Sequence, residues 1–195
     1  LRSDRQPEHT QIDIEMSFVT EDDVIATVEG LLKRLLKNVR QIELKIPFKC
    51  MTYDEAMNRY GSDKPDLRFG LELVDLTSIL SGSEFKVFED VLQKKGVIKG
   101  FKVSGQNFSR SDLDGLTQFV QGFGAKGLAW FKVTGSALES PIAKFFSPDH
   151  QKKLIAVLQG KPGDTLFLVA DVWQTACTAL GALRNHCANL AGLNR

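Results

Sequence analysis

The 195-residue chain is 43% hydrophobic and 25% charged, with 25 Lys and Arg against 24 Asp and Glu. That balance excludes polyanion binding by net charge, so any nucleic-acid contact has to rest on local patches. No run approaches the roughly 20 apolar residues of a membrane span and no secretory leader opens the sequence, so a cytoplasmic protein away from membranes is expected. Cys50, Cys177 and Cys187 lack CxxC spacing and read as free thiols of a reducing compartment. His186 beside Cys187 diverges from it by about 100° on a helix, and no metal site is expected there.

The sequence begins at Leu1 and passes at once through a polar cluster into a strand pattern, which reads as a piece of a longer protein. Residues 10–19 alternate, with Ile12, Ile14, Met16 and Phe18 on one side and Gln11, Asp13, Glu15 and Ser17 on the other, the period of a half-buried strand. Thr20 with Asp23 predicts a capped helix start, followed by Val24, Val28, Leu31, Leu32, Leu35 and Val39 at helical spacing. Thr52 predicts the cap of a shorter helix through Tyr60, stopped by Gly61. A polar loop over 62–68 leads to an apolar strand over 70–76, and Ser81-Gly82-Ser83 is the best linker candidate. Beyond it helices are predicted over 85–95, 110–123 (capped by Ser109), 149–158 (entered through Pro148) and 174–190. Strands are predicted over 97–103, 128–133 and 165–172. The rhythm predicts a compact two-layer α+β unit.

The densest polar cluster is Arg2-Ser3-Asp4-Arg5-Gln6-Pro7-Glu8-His9-Thr10-Gln11-Ile12-Asp13. Paired arginines ahead of a strand can hold phosphates. Strand parity sends His9, Gln11, Asp13 and Glu15 to one side, a surface suited to a flat base and a cationic amine. On composition alone a solvated polar strand face explains the same residues.

The segment Arg-Ser-Asp-Arg-Gln-Pro-Glu-His-Thr-Gln-Ile-Asp-Ile-Glu-Met-Ser-Phe closely resembles the latter part of motif 2 of bacterial-type aspartyl-tRNA synthetases, class II enzymes. Tyr60-Gly61-Ser62-Asp63-Lys64-Pro65-Asp66-Leu67-Arg68 is similar to a second stretch of that family. Gly124-Ala125-Lys126-Gly127-Leu128-Ala129-Trp130, Ser140-Pro141-Ile142-Ala143-Lys144-Phe145 and Leu180-Gly181-Ala182-Leu183-Arg184 resemble its GAD insertion domain. The resemblance implies part of a class II antiparallel-sheet core over residues 1–80, then the insertion domain over 81–195, with the last helix leading back to the core. It further implies ATP-dependent attachment of aspartate to tRNA through aspartyl-adenylate, with ATP and Mg2+ as cofactors, by a homodimeric parent.

By resemblance, Gln6 contacts ATP and His9 replaces a phenylalanine that stacks on adenine. Gln11 and Asp13 floor the aspartate pocket, and Arg2 and Arg5 meet the tRNA acceptor end. No metal ligand is placed, and no catalytic residue is assigned within the chain. Motif 1, the α-phosphate arginine of motif 2 and motif 3 are missing, so the chain alone is expected to be inactive. The other reading is a non-catalytic RNA- or protein-binding module built on the insertion domain. Lys64 and Arg68 are loop candidates for a site. Lys94, Lys95, Lys99, Lys102, Arg110, Lys126 and Lys132 read as scattered solubilising cations, and Trp130 and Trp173 as core.

Overall fold

The computed structural model describes residues 8–135 and 137–193. The chain divides into two compact units, Leu1–Cys50 and Met51–Arg195.

In the first unit the helix announced by Thr20 forms as α1, Glu21–Arg40. Thr20 Oγ1 accepts from the Asp23 N–H, and the Asp23 carboxylate accepts from the Thr20 N–H at 2.9 Å. Acidic residues fill the first turn and Lys37 and Arg40 the last, each matched to the helix dipole. Residues 42–50 follow, and the Phe48 N–H donates to Glu29 at 2.7 Å, which explains why Glu29 alone is buried on α1. The apolar stripe Val24, Val28, Leu32, Leu35 and Val39 stays 37–67% exposed. Local capping and charge, not tertiary burial, are what this unit supplies to the helix.

The strand expected over 10–19 does not form. Residues 9–16 carry no ladder, Ile12 is 73% exposed, and Phe18 is fully exposed at φ +57°. A half-buried strand needs a neighbour to take its N–H and C=O groups and its apolar face. Within Leu1–Cys50 no described segment offers one.

The second unit is built on one antiparallel sheet of β1 (Val74–Asp75), β2 (Val97–Val103), β3 (Ala129–Thr134), β4 (Ala137–Glu139) and β5 (Thr165–Asp171), in the order β1-β2-β5-β3-β4. The helices are α2 (Tyr53–Tyr60), α3 (Thr77–Leu80), α4 (Lys86–Gln93), α5 (Arg110–Gln121), α6 (Pro148–Val157) and α7 (Trp173–Leu190). The expected caps form, Thr52 on α2 and Ser109 on α5, the latter closed into a capping box by Asp112, and Ser147 caps α6 ahead of Pro148.

The α+β class holds, but the expected two layers are three. On one face Phe101, Val103, Phe167 and Val169 pack with Leu113, Leu116 and Val120 of α5 and with Ala176, Leu180 and Leu183 of α7. On the other, Ile98, Phe131, Leu166 and Leu168 pack with Leu76, Leu80, Phe88 and Leu154. Apolar side chains of β2 and β5 point both ways, so each face of these central strands demands a cover. Ser81-Gly82-Ser83 is not a linker: the Gly82 N–H donates to Glu89 at 2.9 Å, and Ser83 is buried.

Where helix α7 meets the end of α2, the two also approach backbone to backbone. Gly61 caps α2 at φ +70°, and a Cβ on Gly181 would lie 2.5 Å from the Gly61 carbonyl oxygen. Both partners are backbone and have little room to give. Gly181→Ala is therefore expected to lower stability by about 1–3 kcal/mol despite alanine's better helix propensity. Gly115→Ala, mid-α5 with open space around its Cβ, is expected to raise it by roughly 0.5–1 kcal/mol. Urea unfolding midpoints of the two variants check the opposite signs; equal shifts would remove the close-approach argument.

Candidate functional site

Of the residues singled out by sequence, Arg2, Arg5 and Gln6 lie outside the described residues. His9, Gln11 and Asp13 are exposed. Gln11 Nε2 donates to Asp13 Oδ1, so these two are brought together on one side as parity requires. His9 is not brought to them by any hydrogen bond or ring contact among the described residues. The result is an amide and a carboxylate side by side, able to accept from an ammonium, without walls around them.

The loop over 61–73 is far more constructed. Arg184 of α7 is 1% exposed and places its guanidinium among backbone carbonyls: Nε donates to Leu71 O at 3.1 Å, and Nη2 lies 2.7, 3.1 and 2.9 Å from the carbonyl oxygens of Asp66, Phe69 and Gly70. Its Cζ sits 4.3 Å from the Phe69 ring centroid and 5.0 Å from that of Tyr60, in cation–π range of both. Burial draws the guanidinium pKa down, and Asp66, Tyr60 and Glu72 push it back up. The planar fork of five donors is what lets one side chain reach several carbonyls.

On the outside of this loop Arg68 pairs with Asp66 in a fork, Nε–Oδ1 at 3.0 Å and Nη2–Oδ2 at 2.6 Å. Arg59 similarly joins Glu72 at 2.8 and 3.0 Å. Lys64 is exposed at the loop's outer bend. Arg184 was legible only as the end of a family-like segment. A physical signal was also present, since it lies on the apolar stripe of Leu180, Leu183 and Cys187 and a cation there has to find buried acceptors.

The scattered lysines are not all solubilising. Lys99 is 2% exposed, and its Nζ donates to Asn58 Oδ1 at 2.9 Å, the same oxygen that accepts from Trp173 Nε1 at 2.9 Å. Lys102 ties Gln159 O and Asp164 at 2.7 and 3.0 Å, and Lys132 donates to Phe108 O at 2.8 Å. Lys99 and Lys102 leave the sheet on opposite faces, so no common basic surface results. Trp130 and Trp173 are half-buried rather than core, the former with Arg110 5.8 Å from its ring centroid. Cys177 and Cys187 are buried free thiols, and burial pushes Cys187 up to about 12, which leaves it an inert thiol. Its neighbour His186 stacks on Phe119 at 4.6 Å. Among the described residues no three His, Cys, Asp or Glu side chains converge as a metal site, and no helix is long and apolar enough to cross a membrane.

Residues 88–180, which run from α4 through β2, β3, β4 and β5 into the first half of α7, match the model of a known family, the GAD domain. The chain is also similar along most of its length to bacterial aspartyl-tRNA synthetases, which are class II enzymes. It is 52% identical over 186 residues to the aspartate–tRNA ligase of Shouchella clausii, covering 94% of this chain and 32% of that protein. It is 50% identical over 190 residues to the aspartate–tRNA(Asp/Asn) ligase of Persephonella marina, 96% of this chain and 31% of that protein. To the aspartate–tRNA ligase of Macrococcus caseolyticus it is 47% identical over 195 residues, 99% of this chain and 33% of the relative. The chain thus spans about a third of the length of the relatives it matches.

The loop geometry makes two predictions. Arg184→Lys keeps the charge but loses the fork, and is expected to cost roughly 2–4 kcal/mol and to speed hydrogen exchange of the amides over 66–73. Protection unchanged in that segment would show that the loop does not depend on the guanidinium. The second concerns Asp66, held at about 2 first by the Arg68 side chain and then by the Arg68 N–H. A depressed carboxylate is paired above its ordinary range, and the pair is lost as pH falls through about 2. Carboxyl 13C shifts of Asp66 followed against pH are expected to turn near 2, and nearer the ordinary carboxylate value in Arg68→Ala.

Proposed function

We propose that the chain serves as part of an aspartate–tRNA ligase, contributing the latter part of motif 2 and the GAD domain to an enzyme that activates aspartate with ATP and transfers it to tRNA. The observation that carries this reading is identity near 50% running without change of family from the motif-like segment through the GAD domain. The relatives that the chain matches are named as aspartate–tRNA ligases, some for both the aspartate and the asparagine tRNA.

In this reading Asp13 accepts from the ammonium of bound aspartate and Gln11 holds Asp13 in place, the pairing their hydrogen bond supports. Gln6 and His9 contact ATP, with the His9 imidazole as the stacking surface. Arg2 and Arg5 hold the acceptor end of tRNA by phosphate contacts. Mg2+ bound with ATP supplies charge neutralisation on the phosphates. The reaction joins a carboxylate oxygen of aspartate to the α-phosphorus as pyrophosphate leaves, then passes the aspartyl group to a ribose hydroxyl of the terminal adenosine. Such chemistry calls for positioning and electrostatic stabilisation more than for a tuned base. A homodimeric, cytoplasmic parent belongs to the same proposal.

A second reading has its own support. The unit Met51–Arg195 has a closed core on each sheet face, whereas Gln11 and Asp13 stand open to solvent, as in a chain acting alone as a binding module.

Aspartate-dependent ATP–pyrophosphate exchange by the full-length gene product decides between them, with asparagine and lysine as controls. Exchange with aspartate alone is expected, and its absence from a folded, full-length protein would leave the binding module. In the same assay His9→Phe is expected to hold or lower the ATP KM and His9→Ala to raise it about tenfold, the loss of roughly 1.4 kcal/mol of stacking. An unmoved KM in His9→Ala removes His9 from the ATP site.

A further inference from the structure

One end of the sheet is a cleft with no part in the reading above. Three segments meet there: the loop after β2, the end of β3, and the turn that leads into β5. Together they enclose about 460 Å3, lined by Gly105, Gln106, Asn107, Lys132, Thr134 and Thr165 with the Pro162-Gly163 turn. Lys132 and Thr165 are direct cross-strand partners of the β3–β5 pair and so share a face. The Lys132 ammonium, with three donors, uses one on Phe108 O at 2.8 Å, which fixes its direction.

Thr165 is largely buried in the sheet, and its hydroxyl makes no hydrogen bond among the described residues and lies on the cleft wall. A hydroxyl that opens on a cleft wall can donate to and accept from a ligand atom or a water. The side-chain amides of Gln106 and Asn107 are likewise without partners among the described residues. Gly105 and Gly163, at φ +72° and +90°, turn the two bordering loops and leave open space where a Cβ would stand.

The chemistry of the wall is one-sided. It offers an ammonium, two hydroxyls and two amides, and no carboxylate lines it. The nearest acids by position are otherwise engaged or set aside. Asp164 accepts from Lys102 and from the Lys161 N–H, and Asp112 accepts from the Ser109 N–H. Glu139 faces Lys132 in the β3–β4 register without an ion pair, so it tempers the charge without consuming it. We infer that this cleft is a binding site for a phosphoryl group, held by Lys132 and Thr165 with the amides of Gln106 and Asn107 completing its shell. The same two amides border a second cavity of about 530 Å3 walled by the stacked Phe119 and His186, which gives a base or sugar attached to the phosphate a place to lie.

The test uses the 195-residue chain in amide 1H–15N NMR titrations at constant ionic strength, with inorganic phosphate and with adenosine 5′-monophosphate. Phosphate is expected to move the Gly105, Asn107, Gly163 and Thr165 amides saturably. Lys132→Ala should weaken the apparent Kd about tenfold, the loss of one charge-assisted bond. Because Lys132 also holds the Phe108 carbonyl, Thr165→Val provides the second variant: it keeps shape and packing, removes only the hydroxyl, and should weaken binding about threefold or more. Perturbation by the nucleotide that spreads to Phe119 and His186 with tighter binding identifies a nucleotide phosphate. Equal binding of both ligands without that spread identifies a site for the phosphoryl group alone, and both results support the proposal. Shifts that do not saturate, that scatter over surface lysines, or that survive unchanged in both variants overturn it. None of these outcomes bears on pyrophosphate exchange, so this site and the ligase reading stand or fall separately.

Discussion

The arrangement of the second unit hangs on a buried guanidinium. Arg184 leaves α7 inside the protein and, with no carboxylate among the described residues in a direct ion pair, spreads its charge over the carbonyls of Asp66, Phe69, Gly70 and Leu71. A buried charge is tolerable only when acceptors surround it, and the only way to gather four carbonyls is to wrap the chain around the fork. That wrapping brings the end of α2 onto α7, where Gly61 and Gly181 meet backbone to backbone. It also sets the direction in which the chain enters β1. The Asn58 oxygen, shared by Lys99 and Trp173, makes a second polar tie between α2 and the same sheet and helix. Thus the segment before the matched GAD residues and the helix that closes them are one packed object, and a boundary drawn at residues 81–83 cuts through it.

The elements that were legible in the sequence are those announced by local chemistry. Thr20 with Asp23, Thr52, Ser109 and Gly61 each satisfy orphan helix-end groups within a few residues, so no knowledge of the remaining fold is needed. Strand β5 was legible from its apolar run, Leu166 to Ala170. What escaped notice was short or decided at a distance. The helix α3 of four residues and the strand β4 of three are below the length at which a period can be read. The expected strand over 70–76 shrinks to Val74–Asp75 because Arg184 takes the Gly70 and Leu71 carbonyls that a longer ladder would need. The third layer was visible in principle, since β5 is buried at six of seven positions and a strand covered on one side alternates instead.

The candidate site was legible in a different measure. Parity alone put Gln11 and Asp13 on one side, and their hydrogen bond agrees. The strand that should have carried them was not realised, because period-2 alternation states which face a strand would bury and says nothing about what it pairs with. Arg2, Arg5 and Gln6 rested on family resemblance from the start. Lysines were the opposite case. Composition treats Lys99, Lys102 and Lys132 alike, while the sheet sends one to a half-buried amide, one to a carboxylate and one to a loop carbonyl. Which partner a lysine finds depends on strand register, and register is a tertiary quantity.

The two units therefore differ in what holds them, and the difference bears on where chemistry can be done. In Met51–Arg195 nearly every central apolar side chain is closed off, with Phe101, Phe131, Phe167, Leu80 and Leu166 at 0% exposure. Fully burying such a side chain is worth roughly 1.5–3 kcal/mol, enough in sum to hold loops in place against their entropy. In Leu1–Cys50 the comparable residues remain open, from Ile12 through Val39 to Phe48 at 39% exposure. Precise positioning of substrate groups needs side chains whose rotamers are locked by neighbours. Among the described residues Gln11 and Asp13 have only each other, so the aspartate pocket proposed for them requires a cover over that segment. Lys132 and Thr165 meet the same requirement from within their own unit, held by strand pairing on both sides and by the Phe108 carbonyl.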